Sequence, residues 1–321
     1  MTRPWLSVII PTYNGGAYLP KALESIATQN FNDLECIAVD DGSTDSTLEI
    51  LDKYKAKFPI HLIKKNTPKN WTTSTNLAIK LARGDYICFL HQDDIWYAKR
   101  LTQLKQVTEH FPEVVLILHP SYYINSMGKN LGLWRCPLPI YPKPISPALM
   151  IERLLIQNFI SIPSPIFKRE VALQVEGLDE KLWYTADWDF WLKIASCGNT
   201  IYLPKPLSGF RIHSSSQTIV HSSEVKDFRS QLEIIVDRYL PLWEAPEQLK
   251  HRVRKVADFS IDLNTALAST IHGKKNNVIP LILSFMRLGP SGWYRYVRDS
   301  RIWERVLARL RTQLITYRGG K

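Results

Sequence analysis

Cysteine is scarce in this sequence, and the arrangement of the cysteines limits the chemistry that they can carry. The 321 residues include four Cys. The cysteines lie far apart and follow no metal-ligand spacing, which argues against a zinc site. They also form no pattern typical of a disulfide framework, so we expect a reducing, cytoplasmic environment. These cysteines are Cys36, Cys88, Cys136 and Cys197.

Long apolar runs are missing as well. The first eleven residues contain no apolar stretch followed by a small-residue cleavage site, so no signal peptide is expected. Near the C-terminus, the longest apolar run covers residues 278–286 and is interrupted by Pro280. A helix needs about 20 apolar residues to span a bilayer. The sequence therefore predicts no membrane-spanning helix.

Positive charge is concentrated in the last part of the chain. The whole chain has a formal net charge of +11, and residues 251–321 hold 14 Lys and Arg against 4 Asp and Glu. The remaining 250 residues are therefore almost neutral. A nucleic-acid-binding domain usually has a basic surface of its own, so we expect no nucleic-acid partner.

The first half of the chain alternates between strand-like and helix-like segments. Strands are predicted at residues 6–11, 34–39, 60–64 and 86–90, and helices at 18–29 and 73–83. Another helix, capped by Ser43 and Thr44, is predicted to extend through residue 54. This alternation predicts a Rossmann-like α/β fold, with a mostly parallel central sheet flanked by helices.

Three polar clusters follow predicted strands, at residues 12–14, 40–45 and 91–94. Ligands of parallel α/β sheets bind outside the carboxyl ends of the strands. Adjacent carboxylates such as Asp93 and Asp94 repel each other unless a cation lies nearby, and Mg²⁺ binds one or two carboxylates plus substrate phosphates. Considered alone, however, Asp93 and Asp94 are also explained as a solvated turn, and Asp40-Asp41-Gly42 as an ordinary turn.

Seven segments, in the same order, resemble the motifs of glycosyltransferase family two, which has the GT-A fold. They are SVIIPTYN (7–14), VDDGSTD (39–45), ARGDYICFL (82–90), HQDDIW (91–96), GLDE (177–180), ADWDFWLK (186–193) and FRIH (210–213). The HQDDIW segment resembles rhamnosyltransferase-like members in particular. The resemblance predicts a GT-A nucleotide-sugar-binding and catalytic domain over residues 1–222.

This resemblance implies an inverting transfer of a sugar from a UDP- or dTDP-linked donor to an acceptor hydroxyl. Asp187 would be the catalytic base, and Asp93 and His213 would hold Mg²⁺ or Mn²⁺. The nucleotide-sugar pocket would contain Pro11, Thr12, Tyr13, Asn14, Asp40, Asp41, Asn76, His91 and Gln92. Residues that contact the acceptor or support the site would be Asp94, Trp188, Asp189 and Arg211.

Two departures from the family pattern leave an alternative open. His91 stands where the family usually has Asp, and Ala186 stands where it usually has Glu. The chain could therefore be a non-catalytic nucleotide-sugar-binding partner in a glycan assembly complex. A nucleotidyltransferase is less compatible, because residues 11–16 lack the basic phosphate-binding residue expected there.

Residues 223–321 are predicted to form a basic helical extension. Apolar residues from Trp293 to Leu314 recur at helical spacing, and a second stripe contains five arginines between Arg295 and Arg309. This pattern is typical of a helix that lies on an anionic membrane surface, of one docked on the enzyme, or of a dimer contact. Membrane contact would suit a saccharide or lipid-linked glycan acceptor in bacterial cell-surface polysaccharide synthesis. The proline-rich segment 137–147 is expected to cross the site.

Overall fold

The structure, a computed structural model, describes residues 3–65, 70–140, 143–213, 224–273 and 277–318. For residues 271 and 312–318 it describes the backbone only. Its strands are β1 (Leu6–Thr12), β2 (Leu34–Asp40), β3 (Ile60–Lys64), β4 (Tyr86–Phe89), β5 (Ile95–Trp96), β6 (Leu116–Leu118), β7 (Ser121–Ile124), β8 (Asn130–Trp134), β9 (Ile166–Lys168), β10 (Thr200–Tyr202) and β11 (Ser208–Arg211).

Helices lie between these strands and make up most of the described C-terminal part. They are α1 (Leu19–Ala27), α2 (Thr47–Tyr54), α3 (Trp71–Leu81), α4 (Arg100–His110), α5 (Pro147–Leu154), α6 (Arg169–Gln174), α7 (Ala186–Ser196), α8 (Val225–Tyr239), α9 (Glu247–Ile271), α10 (Ile279–Ser300) and α11 (Ile302–Arg318). Among the described residues, no helix combines the length and the hydropathy that crossing a bilayer requires.

The central sheet has the strand order β10-β6-β9-β4-β1-β2-β3. Its strands pair in parallel except for β9, which runs antiparallel to both β4 and β6. Strands β1 and β2 are buried along their whole length, as is typical of parallel strands covered on both faces. The predicted mostly parallel sheet and helical C-terminal region are therefore confirmed.

A second sheet, which the sequence pattern did not reveal, has the order β5-β11-β7-β8. Strand β11 runs parallel to β7 and antiparallel to β5. Because β5 follows the loop after β4 directly, this pairing brings the segment that ends in Arg211 beside the polar residues of that loop.

Two helices begin at positions other than those predicted, because local hydrogen bonds decide their starts. Helix α3 begins at Trp71, since the Asn70 side chain accepts a 3.0 Å hydrogen bond from the Thr72 amide. Helix α2 begins only at Thr47, whose amide donates to Asp45 Oδ1 at 3.0 Å. The predicted caps bond elsewhere: Ser43 Oγ donates to Asp40 and accepts from the Asn14 amide, and the Thr44 amide donates to Asn14 Oδ1.

Helix α7 is fixed in the core by large aromatic side chains. Phe190 and Trp191 of α7 pack against Phe89 of β4 and Phe167 of β9, with ring centroids 5.1–5.7 Å apart. Tilted and edge-on ring contacts of this kind stabilise beyond simple burial. They fix the N-terminal turn of α7, which carries Asp187, near the carboxyl edge of the sheet.

The C-terminal extension contains α8 to α11, and its last two helices are separated at Arg301, where the backbone adopts a φ of +49°. Two arginines of α10 pair with carboxylates: Arg295 with Glu152 of α5 at 2.7 Å, and Arg298 with the adjacent, buried Asp299 at 2.6 Å. Trp303, in contrast, is 62% exposed. The expected domain boundary at 222/223 falls at the edge of residues 214–223, outside the described residues.

The proline-rich segment 137–147 lies elsewhere than expected. Ile145 pairs with Thr200 of β10, and Leu138 is buried in the main core. The described part of this segment therefore follows the β10 edge of the central sheet. The prediction that it crosses the site is wrong for these residues.

Candidate active site

Asp40 holds together the loops that follow β1 and β2. Its carboxylate is buried and accepts hydrogen bonds from Thr12 Oγ1 at 2.9 Å and from the Ser43 amide at 2.9 Å. A carboxylate with several donors fixes a loop more firmly than a single neutral bond would. The predicted pocket residues Thr12 and Asp40 are thus brought together, with Asp40 in a supporting position.

Asp41, the next residue, lies beside a lysine that the sequence analysis did not single out. Asp41 Oδ1 accepts from Ser74 Oγ at 2.6 Å and lies 3.2 Å from Lys65 Nζ. Lys65 directly follows β3, so it belongs to the same row of strand ends as the predicted polar clusters. That position was an available signal for its place in the site.

Gln92 ties the loop after β4 to the loop after β1. Its side-chain oxygen accepts from the Tyr13 amide at 2.9 Å, and its side-chain nitrogen donates to the Tyr13 carbonyl at 3.0 Å. Gly15 leaves the space for this pair, since a Cβ there would overlap Gln92 Oε1. Asn14 accepts from the Thr44 amide at 2.8 Å, and Pro11 lies within β1 opposite Val39.

His91 has an unsatisfied polar atom at this edge of the sheet. Its Nε2 is buried and has no hydrogen-bond partner among the described residues, and its ring lies edge-on to Trp71 at 5.5 Å. Burial lowers the pKa of His91, although the nearby charge of Asp93 acts in the opposite direction. A buried polar atom without a partner requires an explanation, and a bound ligand would supply one.

Asp93 and His213 form a close pair. Asp93 Oδ2 lies 2.8 Å from His213 Nε2. Burial alone would raise the pKa of Asp93, but the hydrogen bond with His213 and the electrostatic influence of the nearby imidazoles outweigh it and lower that pKa. Within the described ranges, no group of three or more His, Cys, Asp or Glu side chains is arranged to hold a metal ion.

Arg211 connects this pair to the second sheet. Its amide donates to Asp94 Oδ1 at 2.9 Å, and its Nε donates to the Asp93 carbonyl at 2.7 Å. Burial, and then the charge of Asp93, raise the pKa of Asp94 well above its usual range. Asp94 and Arg211 are both buried, so we interpret them as supports of the loop that carries Asp93.

Asp187 lies in a cavity of about 180 Å³. Its Oδ2 accepts a 3.0 Å hydrogen bond from the side-chain amide of Asn158. Burial raises the pKa of Asp187 to about 6, while hydrogen bonds from the Trp188 amide and Asn158 work against the rise. A carboxylate with such a pKa is charged at neutral pH and can accept a proton. The cavity is also lined by Tyr123, Trp134, Tyr184, Phe210, Arg211, Arg305 and Arg309, among others.

Arg211 belongs to both parts of the site. It lines the Asp187 cavity, and its guanidinium bonds to the backbone of Asp93. Arg211 therefore connects the Asp187 cavity to the loop that carries Asp93, although these segments lie far apart in the sequence.

A family model described as glycosyl transferase family 2 matches residues 7–172, which is more than half of the chain. The chain belongs to glycosyl transferase family 2. This membership confirms the family that the motifs predicted, and with it the glycosyltransferase activity. The rhamnosyltransferase-like subgroup stays a prediction.

Relatives of this family 2 transferase include an uncharacterized glycosyltransferase of Haemophilus influenzae, which is 29% identical over 73% of this chain and 77% of its own length. An Escherichia coli protein named UDP-Glc:alpha-D-GlcNAc-diphosphoundecaprenol beta-1,3-glucosyltransferase is 31% identical over 54% of this chain and 70% of its own length.

Solved structures show the same fold. A crystal structure of S. aureus TarS in complex with UDP-GlcNAc has a TM-score of 0.66 and 20% identity, over 98% of this chain and 92% of that one. A mannosyltransferase from Pyrobaculum calidifontis in complex with GDP-Man and Mn²⁺ has a TM-score of 0.57 and 16% identity, over 98% and 88%. Both confirm the GT-A architecture of the family 2 transferase.

Trp188 lines the Asp187 cavity, and its buried indole donates to a backbone carbonyl of α5. Two other predicted site residues of the family 2 transferase, Asn76 and Asp189, make their contacts elsewhere. The Asn76 amide bonds to the backbone of Leu178 and to Glu180. Asp189 is buried and accepts from Arg238 and Tyr239, so it secures α8 on α7.

Asn158 of the family 2 transferase contacts Asp187, and the sequence did not predict this contact. Ala186, which stands before the predicted base where the resemblance leads us to expect Glu, is fully buried. Asn158 contacts the Asp187 carboxylate from the segment after α5 and so supplies an orienting group there. Nothing in the sequence places residue 158 beside residue 187, because they meet only through the packing of α5 on α7.

Proposed function

We propose that this glycosyltransferase moves a sugar, with inversion, from a nucleoside-diphosphate sugar to a hydroxyl group of a saccharide or lipid-linked glycan. The observation that carries the proposal is Asp187: a charged carboxylate in a cavity, oriented by Asn158 and connected through Arg211 to the Asp93–His213 pair. We assign Asp187 as the general base.

In the proposed reaction, the acceptor hydroxyl enters the Asp187 cavity and donates its proton to the carboxylate as its oxygen attacks the anomeric carbon. A general base held within hydrogen-bond reach typically contributes about 10²- to 10⁴-fold to the rate. Attack from the face opposite the leaving diphosphate inverts the anomeric centre. One base is enough for this single displacement, so no second nucleophilic carboxylate is needed.

Asp93 and His213 fit a divalent cation, which we propose to be Mg²⁺ or Mn²⁺. Such ions commonly take one or two protein ligands and complete their shell with substrate phosphates and water, so a pair of ligands is compatible with the absence of a larger cluster in the described residues. When bound, the cation would neutralise charge that develops on the leaving diphosphate. Arg211 holds the Asp93 backbone in place for this role.

The donor is proposed to bind at the carboxyl edge of the central sheet. Asp41 and Lys65 would contact the base or ribose, the unsatisfied Nε2 of His91 would bond to the donor, and Gln92 would keep the Tyr13 loop in position. The UDP-GlcNAc bound to the similarly folded TarS supports UDP over dTDP as the nucleotide.

The acceptor is proposed to belong to bacterial cell-surface polysaccharide synthesis. The name of the Escherichia coli relative, which describes a lipid-diphosphate acceptor, supports this assignment. A cytoplasmic enzyme with such an acceptor would work at the membrane surface. The net positive charge of the C-terminal region and the exposed apolar residues of α10 are compatible with peripheral contact.

A thermal-shift panel of nucleotide sugars with Mn²⁺ tests the proposal. We expect one nucleotide class to stabilise the protein, and we expect that donor to be consumed when glycan acceptors are added. Stabilisation without turnover with any acceptor mixture would instead favour the non-catalytic partner, and no stabilisation by any nucleotide sugar would contradict the donor site.

A further inference from the structure

Helix α11 places two arginines in the cavity that contains Asp187. Arg305 and Arg309 both line this cavity, although they come from the C-terminal extension and not from the motif-bearing part of the chain. They are one helical turn apart, so their side chains project from the same face of α11. The catalytic cavity is therefore completed by a segment outside the family match.

Several contacts hold α11 over the cavity. Glu304 accepts from the Arg135 amide and from its Nε at 2.8 and 2.9 Å, and Arg311 Nη1 donates to the Leu131 carbonyl at 2.6 Å. Ala308 is buried against the second sheet. Because these contacts fix α11 on the second sheet, the positions of Arg305 and Arg309 are set by packing.

Arg305 is oriented toward the interior of the site. Its Nη2 donates to the backbone carbonyl of Asn158, whose side chain contacts Asp187. Its guanidinium also lies over the ring of Trp134, at 5.5 Å from the centroid. A guanidinium carries five N–H groups, so these contacts leave other N–H donors of Arg305 available.

The two arginines carry more positive charge than the cavity balances. Other arginines of the extension pair with carboxylates: Arg295 with Glu152, and Arg298 with Asp299. Neither Arg305 nor Arg309 has a carboxylate within ion-pair distance in the described part of the chain. Desolvation of its guanidinium lowers the pKa of Arg309, and the charge of Arg305 acts in the same direction.

We propose that Arg305 and Arg309 form a subsite for an oxyanion on the acceptor, so that the enzyme selects a phosphorylated or acidic glycan. Guanidinium groups bind phosphate and carboxylate through paired, charge-assisted hydrogen bonds. The acceptor sugar would lie against the aromatic wall of the cavity with its hydroxyl at Asp187, and its anionic group would lie under α11. This inference rests on the proposed function, because it assumes that the Asp187 cavity takes the acceptor.

The test uses the full chain with saturating UDP and Mn²⁺, so that UDP occupies the proposed donor site. Binding of glucose 1-phosphate, glucuronic acid and methyl glucoside is then measured by calorimetry. We expect at least one anionic sugar to bind roughly tenfold or more tightly than methyl glucoside, as one charge-assisted contact predicts. A preference for glucose 1-phosphate indicates a phosphorylated acceptor, and a preference for glucuronic acid indicates an acidic sugar.

Variants then locate the subsite. Arg305→Gln and Arg309→Gln should each remove most of the preference, and Arg305→Lys should retain part of it. Arg252→Gln, which removes the same charge from an exposed position on α9, should leave it unchanged. Binding of UDP and Mn²⁺ should be normal in every variant, which also shows that each one is folded.

Equal binding of neutral and anionic sugars, or a preference that survives both glutamine substitutions, would overturn the subsite. Loss of UDP binding in the two glutamine variants would also overturn it, because the arginines would then belong to the donor site. The wild-type protein separates the two proposals. If it binds no nucleoside diphosphate with Mn²⁺, the proposed function fails, whereas normal UDP binding without an anion preference removes only the subsite.

Discussion

The side-chain amide of Asn158 donates a 3.0 Å hydrogen bond to Oδ2 of Asp187, across 29 residues of sequence. Because an amide nitrogen can only donate, this bond favours the charged carboxylate and leaves its other lone pairs for a substrate hydroxyl. Asn158 thus both orients the proposed base and opposes the rise of its pKa by burial.

Replacing the proposed base should stop transfer without disturbing the donor. Asp187→Asn keeps the size of the side chain but cannot accept the acceptor proton, so kcat should fall about 100-fold or more. Stabilisation by the nucleotide sugar in a thermal-shift assay should be unchanged. Asp52→Asn, on the exposed face of α2, is the matched control. A loss of transfer smaller than tenfold would argue against Asp187 as the base.

The rate of transfer should depend on pH through the same carboxylate. Because the pKa of Asp187 is raised to about 6, the rate should rise with pH up to about 6 and level off above it. Asn158→Ala removes a hydrogen bond to the charged form, so the rising limb should move to higher pH. Rate profiles from pH 4.5 to about 8.5 measure this shift, and an unmoved limb would contradict the role of Asn158.

The same raised pKa has a consequence for stability. The unfolded value for Asp is about 3.9, so the folded state binds the proton more tightly than the unfolded state does. The stabilisation this provides is complete below about pH 4 and is lost as the pH rises through about 6. The Tm of Asp187→Asn relative to wild type should therefore be higher at pH 8 than at pH 4.

The donor side of the site was largely predictable from the sequence. Apolar strands followed by polar residues identify the carboxyl edge of a parallel sheet, and Asp40, Asp41 and Asp93 follow such strands. The same rule would have identified Lys65, which follows β3. Asn76 resembled a site residue by position only, and its side chain bonds to the turn at Leu178 instead.

The acceptor side was not predictable, because it is assembled by tertiary packing. Asn158 and Arg305 reach Asp187 only through the docking of α5, α7 and α11. Periodicity identified the arginine stripe of the extension but not which face of the helix would turn inward. Ion pairs between α10 and α5, Arg295 with Glu152 and Asp299 with Arg153, hold this face of α10 against the protein.

Removing the proposed cation ligand should abolish donor binding that depends on metal. Asp93 contributes the carboxylate of the pair with His213. For Asp93→Ala, the stabilisation by nucleotide sugar with Mn²⁺ should largely disappear, and chelation with EDTA should do the same to the wild-type protein. A full thermal shift of Asp93→Ala with Mn²⁺ and nucleotide sugar would remove Asp93 from the proposed cation site.

Asn76 should matter for stability and not for nucleotide contact. Its side chain satisfies both the amide and the carbonyl of Leu178, at 2.8 and 2.9 Å. Asn76→Ala leaves these buried groups unpaired and should lower the free energy of unfolding by about 2 kcal/mol. Urea unfolding measures this loss, with the exposed Asn199→Ala as control. Unchanged stability combined with weaker nucleotide binding would restore Asn76 to the pocket.

The first half of α10 provides the sharpest test of membrane contact. Ile279, Ile282, Leu283 and Met286 are each more than half exposed, which is unusual for so many large apolar side chains on one helix. Deleting the extension would also remove Arg305 and expose the core, so substitutions on this outward face are preferable. The double variant Ile282→Ser, Met286→Ser changes only the exposed face.

We expect the wild-type chain to float with vesicles that contain anionic lipid and to float less with neutral phosphatidylcholine, because apolar insertion and charge attraction act together. The double serine variant should lose most of the flotation while keeping its UDP-induced thermal shift. Leu242→Ser, at a residue 72% exposed outside α10, should float like the wild type. If the double variant floats as well as the wild type, α10 is not the surface that contacts lipid, and the proposed lipid-linked acceptor must reach the cavity without it.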